Sequence, residues 1–235
     1  MAGDAVGTVN ICLAASLASV VAPALLMRVA EYALALVLDR APRFPCGAGP
    51  AHAVALGEAD LALLPSVSDV DGLQSQPIYT ERLQLLGVPE LLESLPDPVP
   101  VRMLERVSLA LPSRGHDLRR YLDGLAAGAG VSLRTRFTVD GPDITRSLVE
   151  AGLCCAVLPR SMVGVHDSRI AARRLVRPVP GRTLSIAWLA DRPMTRAIRL
   201  VRQNLVETMR ALVASGGLDG RLVADRFVSH DLDTD

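Results

Sequence analysis

Short apolar runs and stretches of helical period take turns along this chain, and that alternation constrains its fold more than any other feature of the sequence. Val9, Ile11 and Leu13 recur with the period of a strand. So do Val107, Leu109 and Leu111, then Leu133, Thr135, Phe137 and Val139, and finally Leu184, Ile186 and Trp188. Leu34 to Leu38, Leu61 to Leu64 and Leu153 to Leu158 are continuous apolar runs, the kind that a sheet covered on both faces requires. Between them lie helical patterns: Leu17, Val20, Val21, Ala24, Leu25 and Arg28; Leu118, Tyr121, Leu122 and Leu125; Ile144, Leu148 and Ala151; and Ile198, Val201, Leu205, Met209 and Leu212. A weaker pattern covers Ala51 to Ala59. The order reads βαβαβ, a connection, βαβαβ, then a strand and a helix. It predicts an α/β fold with mostly parallel sheets and helices on both faces.

The stretch from Pro65 to Pro77 is rich in Pro, Ser, Asp and Gly and reads as a linker. It divides the chain near residue 77. The predicted lobes are residues 1–76 with 187–214, and 77–186, and residues 215–235 read as a mobile tail. "DVDG" at Asp69 to Gly72 lacks the closing Glu of a calcium loop and reads as a turn.

Charge limits the partners. The 25 basic residues, all Arg, balance 25 acidic ones, so there is no general basic surface to favour nucleic acid. No apolar stretch reaches the ~20 residues of a membrane helix. "MAGDAVGTVNICLAAS" has no Lys or Arg ahead of its apolar part, so a soluble, cytoplasmic protein is expected. Cys12, Cys46, Cys154 and Cys155 have neither metal-site spacing nor disulfide density. In a strand, Cys154 and Cys155 would point to opposite faces and could not chelate one ion. They read as buried structural thiols, with redox sensing as the other reading. No zinc-helix, nucleophile-elbow or phosphate-loop motif is present, so no catalytic residue, metal or cofactor is predicted.

In open α/β sheets ligands bind beyond the carboxyl ends of strands, where helix N-termini point. The candidates are therefore Ser16, Leu17 and Ser19 after the first strand, Pro65 and Ser66 after the third, Ser113 and Arg114 in the matching turn of the second half, and Asp140 after Val139. Each has a plainer reading. Ser16 could simply cap its helix. Arg114 could be a surface cation near Asp117 rather than a carboxylate clamp. Asp140, or Asp143, could cap the following helix. His116 reads as a solvated loop residue.

Five blocks then line up in order and spacing: "VNICLAASLASVVAPALLMRVAE", "ALGEADLALLPSVSD", "IYTERLQLLGVPE", "VSLALPSRGHDLRRYLDGLAAGAGV" and "ITRSLVEAGLCCAVLPRSMV". Together, from Gly7 to Leu212, they resemble the effector-binding domain of LysR-type transcriptional regulators. The resemblance implies a two-subdomain fold like that of type II periplasmic binding proteins. Crossover strands would form or flank residues 77–78 and 184–190, with a small effector in the cleft. It implies a homodimer or tetramer that pairs the helix at Ser16 to Ala30 with the one at Pro142 to Gly152 of a partner. It implies DNA binding only through a helix-turn-helix that does not precede these blocks here. The expected function is a non-enzymatic sensor of a small carboxylate or amino-acid-like effector. The alternative is a solute-binding protein of the same fold.

Overall fold

The computed structural model describes residues 7–30, 34–39, 49–65, 71–163 and 169–223, with residues 34–39 described by backbone alone. Ser66 and Cys46 lie outside these residues, as do residues 66–70 of the expected linker.

The first half builds β1 (Gly7–Leu13), α1 (Ala15–Val29), β2 (Leu34–Asp39), α2 (Pro50–Ala55) and β3 (Leu61–Pro65). β1 is parallel to β2 on one side and to β3 on the other. Buried Leu17, Ala18, Val21, Leu25 and Val29 form the stripe that holds α1 to the sheet. α1 shares this core with α6 (Arg196–Ala214), whose Ile198, Val201, Leu205 and Met209 pack from the far end of the chain. α2 covers the opposite face through Ala53 and Val54.

The chain then enters β4 (Leu73–Gly87), a strand of 15 residues that sequence patterning did not show. Its first residues, Leu73 to Pro77, are largely exposed and carry the polar composition of a linker. Their order comes from antiparallel pairing with β10 (Gly181–Leu189). Pro77, which has no N–H to give, sits where the register shifts between Leu184 and Ser185. β10 also pairs antiparallel with β3. The mostly parallel arrangement that was expected holds outside the crossing strands, whose own pairings are antiparallel, so the whole is mixed.

The second half adds α3 (Pro89–Leu92), β5 (Val99–Pro100), a 3₁₀ turn at Val101–Arg106, β6 (Ser108–Leu111), α4 (Asp117–Gly128), β7 (Arg134–Thr138), α5 (Pro142–Glu150), β8 (Ala156–Pro159), a second 3₁₀ turn at Arg160–Met162 and β9 (Ala171–Val176). β8 and β9 pair antiparallel with residues 83–87 of β4. β6 and β7 are parallel, and β6 joins β8 through a parallel bridge from Leu109 to Cys155.

Packing changes hands within β4. Ile78 and Tyr79 belong to the core under α1 and α6, whereas Leu83, Leu85 and Leu86 belong to the core with α4 and β8. The division expected at 76/77 and 186/187 thus falls inside β4 and β10. After α6, Gly220–Leu222 forms a further strand, β11, antiparallel to β4, where the sequence suggested only a tail.

Candidate functional site

The polar groups that join the two cores lie where β4 and β10 pass between them. Glu81 and Arg182 stand opposite one another in the antiparallel register, so their side chains share a face. Arg182 Nε donates to Glu81 Oε1, and the side chains are only 10% and 1% exposed respectively. Arg182 Nη2 donates to Ser16 Oγ at 2.9 Å. One guanidinium thus ties both crossing strands to the start of α1. Burial holds the Glu81 carboxyl above the ordinary carboxylate range, with Arg182 pulling the other way. Its second oxygen is buried without a hydrogen-bond partner among the described residues. The pair is therefore held by one well-used oxygen and one costly one.

Ser16 is not the cap of α1. The cap position is Ala14, which has no side chain to offer, and Ala14 N–H donates to the Leu63 carbonyl at 2.8 Å. Strand β1 runs straight into the helix, which leaves Ser16 as its second residue with its hydroxyl free to meet Arg182. Leu17 is fully buried in the core and gives its N–H to the Ala14 carbonyl at 2.9 Å. It brings no free polar group to the cleft. Ser19 is exposed one turn further on, and Pro23 cannot return the helical bond to the Ser19 carbonyl. Pro65 ends β3, half-buried.

Across the cleft, Ser113 N–H donates to Asp140 Oδ1 at 2.7 Å, tying the loop after β6 to the loop after β7. Asp140 therefore does not cap α5. Gly141 holds the cap position with Pro142 next, and Thr145 Oγ1 returns a bond to the Gly141 carbonyl at 3.0 Å. Asp143 does not cap it either. Arg114 is exposed in the turn ahead of α4 and has no ion-pair partner among the described residues, because Asp117 pairs with Arg120 instead.

His116 is exposed, as expected of a solvated loop residue, and it also caps α4: its Nδ1 accepts from Leu118 N–H at 3.1 Å. That bond fixes the neutral tautomer with the proton on Nε2. Partial desolvation holds the imidazole below its ordinary value, Asp140 and Asp117 pull it up, and Arg182 and Arg120 push it down. α4 is also pinned to the crossing strands, since Tyr121 Oη accepts from Gly181 N–H at 2.9 Å. The sequence signal for His116 was its place just before a helical pattern. Arg182 had no comparable signal, because only pairing with a strand hidden inside a linker composition brings it to Ser16.

Cys154 and Cys155 are both about 1% exposed. Burial pushes the Cys154 thiol up and the Cys155 thiol up to about 12, so neither is a thiolate at neutral pH. Among the described residues no cluster of His, Cys, Asp and Glu could hold a metal. The two halves together offer a nearly buried cation at Arg182, an exposed one at Arg114, two helix N-termini, and serine, imidazole and carboxylate groups beside strand ends. Such a set can hold a small polar anion but has no nucleophile activated by a base.

Residues 2–210 match the family model described as the LysR substrate binding domain. The HTH-type transcriptional regulator BbuR of Bordetella bronchiseptica is 26% identical over 168 residues, covering 70% of this chain and 51% of the relative. The chain thus spans about half the length of that regulator. The effector binding domain of QuiR in complex with shikimate superposes with a TM-score of 0.76 at 13% identity, covering 88% of this chain and 99% of that one. HinK, a LysR family transcriptional regulator from Pseudomonas aeruginosa, superposes with a TM-score of 0.74 at 18% identity, covering 88% and 71%. At such identities the superpositions establish the fold.

Proposed function

This chain belongs to the LysR substrate-binding-domain family, and from that premise we propose how it senses its effector. A small carboxylate or amino-acid-like molecule sits between the lobes, over Arg182 and the N-terminus of α1. The observation that carries this is the Arg182 contact to Ser16, made by a guanidinium that Glu81 anchors at the passage between lobes. A fixed, partly desolvated cation beside free helix N–H groups recognises a carboxylate better than a solvated one would. Ser16 and Ser19 act from one lobe, where Pro65 ends β3; Ser66, also expected to contribute, lies outside the described residues. Ser113, Arg114 and Asp140 act from the other, and the neutral His116 offers an N–H donor. Shikimate, named with the QuiR domain, has the acid and hydroxyl groups that such a set would read.

A ligand that touches both lobes favours the arrangement in which both contacts form, which is a population shift. In a complete regulator the shift would pass through subunit contacts to a DNA-binding module. Two apolar side chains fit the expected pairing of α1 with a partner's α5: Met27 on α1 is 79% exposed and Ile144 on α5 is 60% exposed. The protein is read as a homo-oligomer acting without catalysis, and no described helix is long and apolar enough to cross a membrane.

The test is a thermal-shift screen with small hydroxy acids, dicarboxylates and amino acids. At least one should raise the melting temperature in a saturable way. A flat response across the panel would contradict the reading.

A further inference from the structure

The segment after α6 makes contacts that a tail has no need of. Leu218 is 3% exposed and packs in the core under α1 and α6. The next residue, Asp219, reaches across the passage between lobes. Its backbone carbonyl accepts from Arg82 N–H at 3.2 Å. Its carboxylate accepts from Gln84 Nε2 and lies 3.6 Å from Arg82 Nη1. Gln84 is a buried residue of the second lobe, paired with Leu158 of β8 and Arg174 of β9. β11 then runs antiparallel to β4 over Tyr79, Thr80 and Glu81, and Val223 N–H closes it on the Ile78 carbonyl at 3.0 Å. A Cβ at Gly220 would lie 2.3 Å from the Thr80 carbonyl and 2.5 Å from Tyr79 Oη, so only glycine allows this approach.

We infer that residues 218–223 are a clasp across the hinge, and that Asp219 and Gly220 are positioning residues for the effector site. The geometry gives the route. β10 holds β4 on one edge from Leu73 to Arg82, and β11 holds it on the other edge at residues 79–81. Glu81 lies in that doubly held stretch, and Glu81 orients Arg182 towards Ser16. Loosening the clasp frees the passage between lobes and lets the guanidinium leave α1. The inference rests on the proposed effector site only for its consequence. The clasp itself is testable without any ligand.

The test is hydrogen exchange on the full chain, compared with Asp219→Ala and Gln84→Met. Removing a part-buried hydrogen bond to a charged group should open the local structure by about tenfold. Peptides covering Ile78 to Gln84, Gly181 to Ser185 and Ala14 to Ser19 should therefore exchange faster, while the peptide covering α4 keeps its protection. Acceleration confined to residues 219–223, or an equal change over the whole chain, would overturn the clasp. Gln84→Met keeps the backbone contacts of Asp219 and gives the same readout should Asp219→Ala fail to fold. A clasp confirmed alongside a ligand panel that binds nothing would reject the effector reading alone.

Discussion

Arg182 is the residue on which the site turns. It is nearly buried, and its partner Glu81 is fully so. Removing one member of such a pair leaves an unpaired buried charge, at a cost of about 3–5 kcal/mol, whereas replacing both with apolar groups costs little. Arg182→Met should therefore lose stability on that scale in urea unfolding, and Arg182→Met combined with Glu81→Met should recover most of it. Equal losses in both variants would show that the pair is not what holds the passage together. His116 gives a pH signature. Its folded pKa lies below the ordinary 6.5, so the native state binds fewer protons than the unfolded chain across that window. The His116 contribution is complete above 6.5 and is lost as pH falls through the folded value. Protonation also removes the Nδ1 acceptor that caps α4. His116→Asn keeps a capping side chain that does not titrate. It should flatten the fall in stability below pH 6.5, and an unchanged slope would contradict this assignment.

At the scale of elements, β4 decides the architecture, and its two halves need different things. The second half is packed tightly. A Cβ at Gly87 would lie 2.7 Å from Cys155 Sγ and 3.1 Å from Leu92. Gly87→Ala should cost about 1–3 kcal/mol by overpacking, measured by thermal unfolding, and Gly87→Ala with Cys155→Ala should recover part of it. No recovery would mean that Leu92, rather than the thiol, is the obstacle. The first half of β4 shows why patterning failed there. Leu73 to Pro77 are ordered by hydrogen bonds to β10, and their exposed polar side chains carry no record of that. By contrast β1, β6, β10 and the long helices left a period in the sequence, and β3, buried on both faces, left a continuous apolar run. β9 was hidden by Arg173 and Arg174, which are partly or largely exposed. Ser113 and Asp140 were expected beside strand ends and lie in the loops after β6 and β7, although their mutual bond was not foreseen. Arg182 and Glu81 were missed because their roles come only from register.

At the scale of the molecule, two lobes joined by two long strands make a device whose contacts across the cleft depend on the angle between them. The proposed assembly surface takes in the exposed Met27 of α1, the same helix whose first turn meets Arg182, and the exposed Ile144 of α5. Met27→Glu with Ile144→Glu should shift sedimentation towards monomer while leaving unfolding stability nearly unchanged, and an unaltered profile would move the interface elsewhere. The central claim is that one effector touches both lobes at once. It is tested most directly by isothermal titration of the carboxylate that most raises the melting temperature, against the wild type, Ser16→Ala in the first lobe and Arg114→Ala in the second. One-to-one binding is expected, with each substitution weakening it by roughly tenfold, the scale of one hydrogen bond to a charged group. Binding that ignores either substitution would place the ligand on one lobe alone and contradict the account.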